Sequence, residues 1–229
     1  MAMVNDLEKR SFALLYDMHV ELNNAINSLG KKESNGLKDA FYFFNASYLN
    51  KITEGYISLR ESRKFEASQQ LIRLCLEMMF KLRAVLNKPE LLFRIAYTER
   101  LEDSKLLRPI AIRKGDDYDA NEKKEWDQFK SNYKELFPEH NLEEKELKIW
   151  EMAKIAGILP YYETYYRFYC QTTHAVFRAA TGDLKCFEKE DNGVMASCVL
   201  SALQVLISLG LVLDLEPLID CLSKLDENT

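Results

Sequence analysis

Residues 194–213, VMASCVLSALQVLISLGLVL, decide the fold of this chain because they contain no charged side chain. A run of 20 residues without charge is long enough to cross a bilayer. Three serines and Gln204 interrupt it, however, and its nearest charged flanks are the acidic Asp191 and Asp214. Membrane helices are usually anchored by Lys or Arg. We therefore predict a long, apolar C-terminal helix that other helices or a dimer partner bury.

The rest of the chain also has helical periodicity, and no segment alternates over the length of a strand. Only eight Gly and five Pro among 229 residues favour long elements with few tight turns. The predicted helices begin after Asn5, after Asn35, at about Lys64 and at Pro89, and the later ones span about 121–137, 142–156, 160–182 and 194–213. The pattern predicts an all-α fold, a single helical bundle of about seven or eight helices.

The helical pattern breaks between Arg108 and Asn121. Arg108-Pro109 and residues 114–117, KGDD, are typical of a loop, which can serve as a lid. Highly charged helices follow this break. We predict one domain over residues 1–229, with a charged helical insertion at about 108–158.

Composition excludes several classes of protein. A hydrophobic content of 47% with 29% charged residues is typical of a globular chain. The formal charge of −5 does not favour a nucleic-acid coat or an anionic membrane surface. Five cysteines without a C-x-x-C pair, and a polar N-terminus without a signal-peptide core, indicate the cytoplasm and no membrane partner. With three histidines and no nucleotide, dinucleotide or zinc-protease motif, we predict no cofactor and no metal site.

The sequence RFYCQTTH, residues 167–174, carries the chemistry that we consider first. Arg167 and His174 are seven residues apart, and seven residues of helix turn about 700°, so the two side chains share one face. A histidine can transfer a proton near neutral pH, and an arginine can hold a phosphate or a developing anion. We identify Arg167 and His174 as candidate catalytic residues for metal-free RNA cleavage.

The same helix has simpler interpretations. Its tyrosines can pack in the core and hydrogen-bond at their tips, with His174 held by a carboxylate. Cys170 lies one turn before His174, so a Cys/His nucleophile pair is a further alternative. Three aspartates at positions 116, 117 and 119 can bind a cation, but they lack the glutamate of a calcium loop.

A second polar cluster lies on the third predicted helix. Arg73 and Glu77 are four residues apart among apolar neighbours, and the simplest interpretation is an intrahelical ion pair. The functional interpretation brings this helix beside Arg167 and His174. Arg73, Glu77 and Tyr166 would then complete a substrate-binding pocket.

The spacing of Arg167 and His174 resembles the loose Arg-x(4–6)-His motif of the HEPN superfamily, which consists of small all-helical proteins. The resemblance implies a metal-independent endoribonuclease, as in toxin–antitoxin, CRISPR-associated and antiviral systems, with a composite site at a homodimer interface. This chain departs from that family at Phe168, where a polar residue is usual. More broadly, residues 62–67 with Arg73, Glu77 and the 162–174 helix resemble an uncharacterised bacterial all-helical family, a likeness that implies no activity.

Three functions follow as hypotheses. The first is a HEPN-like ribonuclease or toxin-type effector in prokaryotic defence, with RNA as the substrate. The second is a non-catalytic interaction module, such as an antitoxin, an adaptor or a regulatory subunit, with a protein partner. The third is a pocket for a nucleotide or another phosphate compound, lined by Arg73, Arg167 and the tyrosines.

Overall fold

The protein is all-helical in the computed structural model, which describes residues 2–29, 36–114, 117–173, 190–211, 213 and 215–226. Nine helices and no strand occur within these ranges. They are α1 (Ala2–Leu29), α2 (Leu37–Glu61), α3 (Phe65–Asn87), α4 (Leu91–Lys114), α5 (Tyr118–Leu136), α6 (Ile149–Ile155), α7 (159–173), α8 (Asp191–Ile207) and α9 (Glu216–Asp226). Helix α7 consists of three consecutive pieces, Leu159–Tyr161, a π-helical turn at Tyr162–Tyr166, and Arg167–Thr173. The prediction of an all-α bundle is confirmed.

Helix α8 is the centre of the bundle. Most of its residues are buried, including Met195, Val199 and Leu203, and it packs against α1, α2 and α3. These three helices each direct one apolar stripe at it, for example Leu15, Met18 and Leu22 of α1. One stripe of α8, from Gly193 to Ile207, is partly exposed, and the rest of its surface is buried away from water. The buried central helix therefore overlaps the apolar run 194–213.

The predicted length of that apolar helix and the number of helices are wrong. Helix α8 ends at Ile207, the backbone turns through residues 208–210, and α9 is an additional short helix. Gly210 adopts a φ of 83°, a left-handed conformation that glycine tolerates and that ends helices. Within the described ranges, no helix has the length and hydropathy needed to span a membrane.

The predicted loop at 108–121 is wrong where α4 and α5 extend into it. Helix α4 continues through Pro109 to Lys114, and the side chain of Asp117 accepts a hydrogen bond from the Ala120 backbone at the start of α5. Helices α4 and α5 form a hairpin that aromatic rings hold together: Phe93 lies 5.4 Å from Trp126 and 5.4 Å from Tyr133 between ring centroids. Pro109 lies beyond these rings, near two other contacts between α4 and α5: Arg108 pairs with Asp119 at 2.7 Å, and the Tyr118 hydroxyl donates to Ser104 Oγ at 3.3 Å. The predicted division into one domain with an insertion stays a prediction.

The helix predicted at 142–156 is wrong in its first half, because only Ile149–Ile155 is helical. In the segment before α6, side chains of α4 bind the backbone instead. Arg94 donates to the carbonyl oxygens of Lys145 and Glu146 at 3.2 and 3.1 Å, and the Leu147 N–H donates to Thr98 Oγ1 at 2.8 Å. These bonds satisfy backbone groups that a helix would otherwise pair internally, and they place residues 146–149 beside α3 and α4.

Candidate functional site

A π-helical turn in α7 sets the geometry of the candidate site. It covers Tyr162–Tyr166, and turns of this kind occur frequently at functional sites. The rings of Tyr162 and Tyr166 stack with centroids 5.2 Å apart, and Phe80 of α3 packs edge-on against Tyr166 at 5.9 Å. These ring contacts fix the direction of Tyr166 toward α3.

Tyr166, Glu77 and Arg73 form a hydrogen-bonded triad between α7 and α3. The Tyr166 hydroxyl donates to Glu77 Oε1 at 2.9 Å, and Arg73 Nε donates to the same oxygen at 3.1 Å. The Arg73 guanidinium also lies 5.9 Å from the centre of the Tyr166 ring. The side chains of Arg73 and Glu77 are 27% and 17% exposed, so the triad is neither sealed nor fully solvated.

The electrostatics of the triad hold its donors in their protonated forms. Burial, followed by the negative charge of Glu77 and its hydrogen bond, raises the pKa of Tyr166 above its usual value. Burial lowers the pKa of Arg73, but the hydrogen bond with Tyr166 and the charge of Glu77 outweigh this, so its pKa is raised. Tyr166 is therefore a hydrogen-bond donor near neutral pH and not a base.

A groove of about 450 Å³ opens beside the triad. Its sides come from α3, α4, residues 146–149, α6 and the π-helical turn of α7. Ile95, Leu147 and Met152 supply apolar surface to the lining, and all three are buried. Most of the other lining residues are polar or charged, so the groove is more polar than the usual small-molecule pocket.

The groove carries more negative than positive groups. Each of its three cations is paired with a carboxylate: Arg73 with Glu77, Lys81 with Glu99 at 2.7 Å, and Lys148 with Glu146 at 2.6 Å. Glu102 and Asp103 bring the carboxylates to five, which leaves a net formal charge of −2. This field repels polyanions and favours ligands that carry a cationic group.

Three of the five predicted site residues lie together, and two do not join them within the described structure. Arg73, Glu77 and Tyr166 are in direct contact, as described above. Arg167 is exposed, is not part of the groove lining, and has no ion pair in the part of the chain that the structure describes. His174 lies outside the described residues, and with it the possible Cys170/His174 pair. Among the described residues that line the groove there is no histidine.

Sequence reasoning missed a second polar cluster, which surrounds Asp191 at the start of α8. The hydroxyl of Tyr169 donates to Asp191 Oδ1, and Gln69 Nε2 donates to Oδ2 at 3.0 Å. Arg60 Nη1 lies 3.8 Å from the same Oδ2. Asp191 is fully buried, so its charge needs these partners in place of water.

The neighbouring Asn192 extends this cluster to α1 and α2. Its Oδ1 accepts from the Tyr56 hydroxyl at 2.8 Å, and its Nδ2 donates to Ser11 Oγ at 3.2 Å. We call the set around Asp191 and Asn192 the sealed junction, because side chains of α1, α2, α3, α7 and α8 meet there without exposure. The sequence signal for this cluster is Asp191, which the sequence alone marks only as an acidic flank of the apolar run.

The comparisons with known proteins add one finding. The model of a family described as "Family of unknown function (DUF5677)" matches residues 40–192. This chain belongs to that family. The match covers about two thirds of the chain, runs from α2 to the sealed junction, and includes the whole triad. Searches of curated proteins and of solved structures found no match. The predicted likeness to an uncharacterised family is thus confirmed, and the HEPN resemblance stays a prediction.

Proposed function

We propose that this DUF5677 protein is a binding protein whose groove takes a compact ligand with both an anionic and a cationic group. The single observation that carries the proposal is the triad, in which an arginine, a glutamate and a tyrosine converge at the wall of the groove. Arg73 and Glu77 pair with each other, but both side chains are partly exposed, so each can also contact a ligand. A ligand with an anionic and a cationic group supplies complementary charges to the two side chains.

The ligand class follows from the donors and acceptors of the triad. The planar guanidinium of Arg73 has five N–H donors, and its contact with Glu77 uses Nε. Its remaining donors suit a carboxylate or a phosphate. Glu77 accepts hydrogen bonds from an ammonium group. The excess of carboxylates in the groove disfavours a polyphosphate or a nucleic-acid backbone and favours a small zwitterion.

A ligand screen tests this function. We expect phosphoethanolamine to raise the melting temperature of the full chain at millimolar concentration, more than inorganic phosphate, AMP or spermidine does. Arg73→Met should abolish the shift. The control is Lys88→Met, which removes one positive charge from an exposed position at the end of α3 and should leave the shift unchanged. No shift with any of the four probes, or an equal shift in Arg73→Met, would contradict the proposal.

Metal-independent RNA cleavage is the second candidate function, and one observation favours it. Arg167 directly follows Tyr166 and is exposed, so its guanidinium is accessible to a scissile phosphate. His174 would act as the proton-transfer group, as the Arg-x(4–6)-His resemblance implies. Purified protein should then cleave RNA in the presence of EDTA, and His174→Ala should not. Equal cleavage by both proteins, or by neither, would reject this candidate.

A further inference from the structure

The first half of α4 packs on the core, and its second half extends beyond the core. Leu92 and Ile95 are 5% and 3% exposed, but Leu106 and Ile110, which continue the same side of the helix, are 68% and 51% exposed. Helical residues three and four positions apart share one side. Exposed aliphatic residues that continue a buried stripe are candidates for contact with another molecule.

Four residues define the uncovered side of α4: Asp103, Leu106, Ile110 and Arg113 follow one another at intervals of three, four and three. This is the spacing of the core positions of a coiled coil. Read along the helix, the order is acidic, apolar, apolar, basic. All four side chains are exposed, and α5 occupies another side of α4, where Arg100 pairs with Glu122.

A helix side that runs from acidic through apolar to basic is complementary to a second copy of itself that runs in the opposite direction. We propose that a second copy of this chain covers this surface, with the two α4 helices antiparallel about a two-fold axis near Arg108. Leu106 then packs against Ile110 of the partner subunit, and Asp103 pairs with Arg113 of the partner subunit. An isologous contact of this kind repeats each pair twice and closes the assembly as a dimer.

The charges at the two ends of the surface set the direction of the partner helix. In the antiparallel arrangement Asp103 meets Arg113 of the partner subunit at both ends, so each pair has opposite charges. Parallel alignment would instead place like charges opposite each other, which is destabilising. The charges therefore select the antiparallel arrangement.

The proposed dimer also changes the groove. Asp103 lines the groove as well as belonging to the uncovered side of α4. Arg113 of the partner subunit would lie at its rim and offset its negative charge. The α4 surface would pair with or without a ligand in the groove.

The contact is small. Asp103 to Arg113 spans about 15 Å of helix, so the buried area is at the low end for specific complexes. We therefore expect a reversible dimer that forms with increasing protein concentration.

Sedimentation velocity of the full chain over a range of concentrations tests the surface. The wild type should shift from monomer to dimer as concentration rises, and Leu106→Glu should weaken the dimer by about tenfold or more, because it places a carboxylate in the apolar centre. The matched control is Leu136→Glu, which changes an exposed leucine at the end of α5 and should dimerise as the wild type does. A wild type that stays monomeric, or a Leu106→Glu protein that dimerises normally, would overturn the proposal.

A charge exchange tests the antiparallel register. Asp103→Arg alone and Arg113→Asp alone each place like charges opposite one another and should weaken the dimer. The double variant restores opposite charges at both positions and should recover it. Asp17→Arg, at an exposed position of α1, makes the same charge change elsewhere and should have little effect. Failure of the double variant to recover the dimer, with both single variants weakened, would overturn the proposed register.

Discussion

Two tyrosines of α7, three residues apart, donate hydrogen bonds to carboxylates in two very different surroundings. Tyr169 donates to Asp191 in the sealed junction, where both residues are fully buried. Tyr166 donates to Glu77 at the wall of the groove, where the Glu77 side chain retains 17% of its exposure. The chemical pair is the same. The two pairs differ in their access to solvent. The buried pair, Tyr169 with Asp191, holds helices together, whereas the partly exposed pair, Tyr166 with Glu77, can exchange a partner for a ligand.

The physical basis of this difference is desolvation. A buried carboxylate that loses a partner finds no water to replace it, so the cost of the loss is large. At the groove, water or a ligand can take the place of a lost partner. We therefore expect substitutions in the sealed junction to act on stability and substitutions in the triad to act on binding.

The largest effect is expected for Asp191→Ala. It removes the acceptor for Tyr169 and Gln69, and it leaves Arg60, whose side chain is 4% exposed, with the partly exposed Glu8, 2.7 Å away, as its remaining counter-charge. The free energy of unfolding should fall by about 3–5 kcal/mol. Urea unfolding followed by circular dichroism measures this change.

The control for that variant is Asp191→Asn, which keeps the shape and one acceptor oxygen and should cost less. A loss below about 1 kcal/mol for Asp191→Ala would show that the buried charge of Asp191 contributes little to the stability of the fold.

A smaller effect separates the two tyrosines. Tyr169→Phe deletes a buried hydrogen bond to a charged group and should lower the free energy of unfolding by about 1.5–3 kcal/mol. Tyr166→Phe deletes the equivalent bond at the groove and should cost about 1 kcal/mol or less, because water reaches the site. Paired urea titrations of the two variants make the comparison. Equal losses would contradict the assigned difference in solvent access.

Glu77→Gln is expected to change stability by only about 0.5–1 kcal/mol, since it weakens a partly exposed i,i+4 ion pair. It should nevertheless lower the affinity for phosphoethanolamine, because the ammonium group loses its counter-charge. Isothermal titration calorimetry measures the affinity. An unchanged affinity would remove Glu77 from the ligand site.

The smallest effect concerns His19 on α1, whose Nε2 is buried and has no hydrogen-bond partner among the described residues. Burial lowers its pKa below 6.5, although Glu54 opposes the shift. The folded state therefore favours the neutral ring, and this contribution to stability is present above pH 6.5 and is lost as the pH falls through the lower folded pKa. His19→Gln should flatten the pH dependence of unfolding in that range. An equally steep dependence in the variant would assign it to other groups.

The sequence predicted those parts of the molecule that local periodicity determines. The third helix was expected at 64–87 and is Phe65–Asn87, and the four-residue spacing of Arg73 and Glu77 predicted their ion pair. Tyr166 was placed in the same pocket from its position on a polar stripe. Apolar stripes and i,i+4 spacing are properties of one helix, so a single sequence reveals them.

Features that depend on contacts between distant segments were not predictable. Pro109 and the charges around it indicate a loop, but α4 continues through Pro109, where Arg108 pairs with Asp119 of α5. Burial of Asp191 requires Arg60, Gln69 and Tyr169 from three other helices to converge. No local pattern records such convergence, because tertiary packing overrides local propensity.

The most direct test of the account follows the Nε–H signals of Arg73 and Arg60 by ¹H–¹⁵N NMR during titration with phosphoethanolamine. Arg73→Lys and Arg60→Lys variants assign the two signals. The account predicts that the Arg73 signal shifts in a saturable manner while the Arg60 signal, from the sealed junction, stays in place. An unmoved Arg73 signal, or equal shifts of both signals, would contradict the claim that the open triad binds ligands and the sealed junction does not.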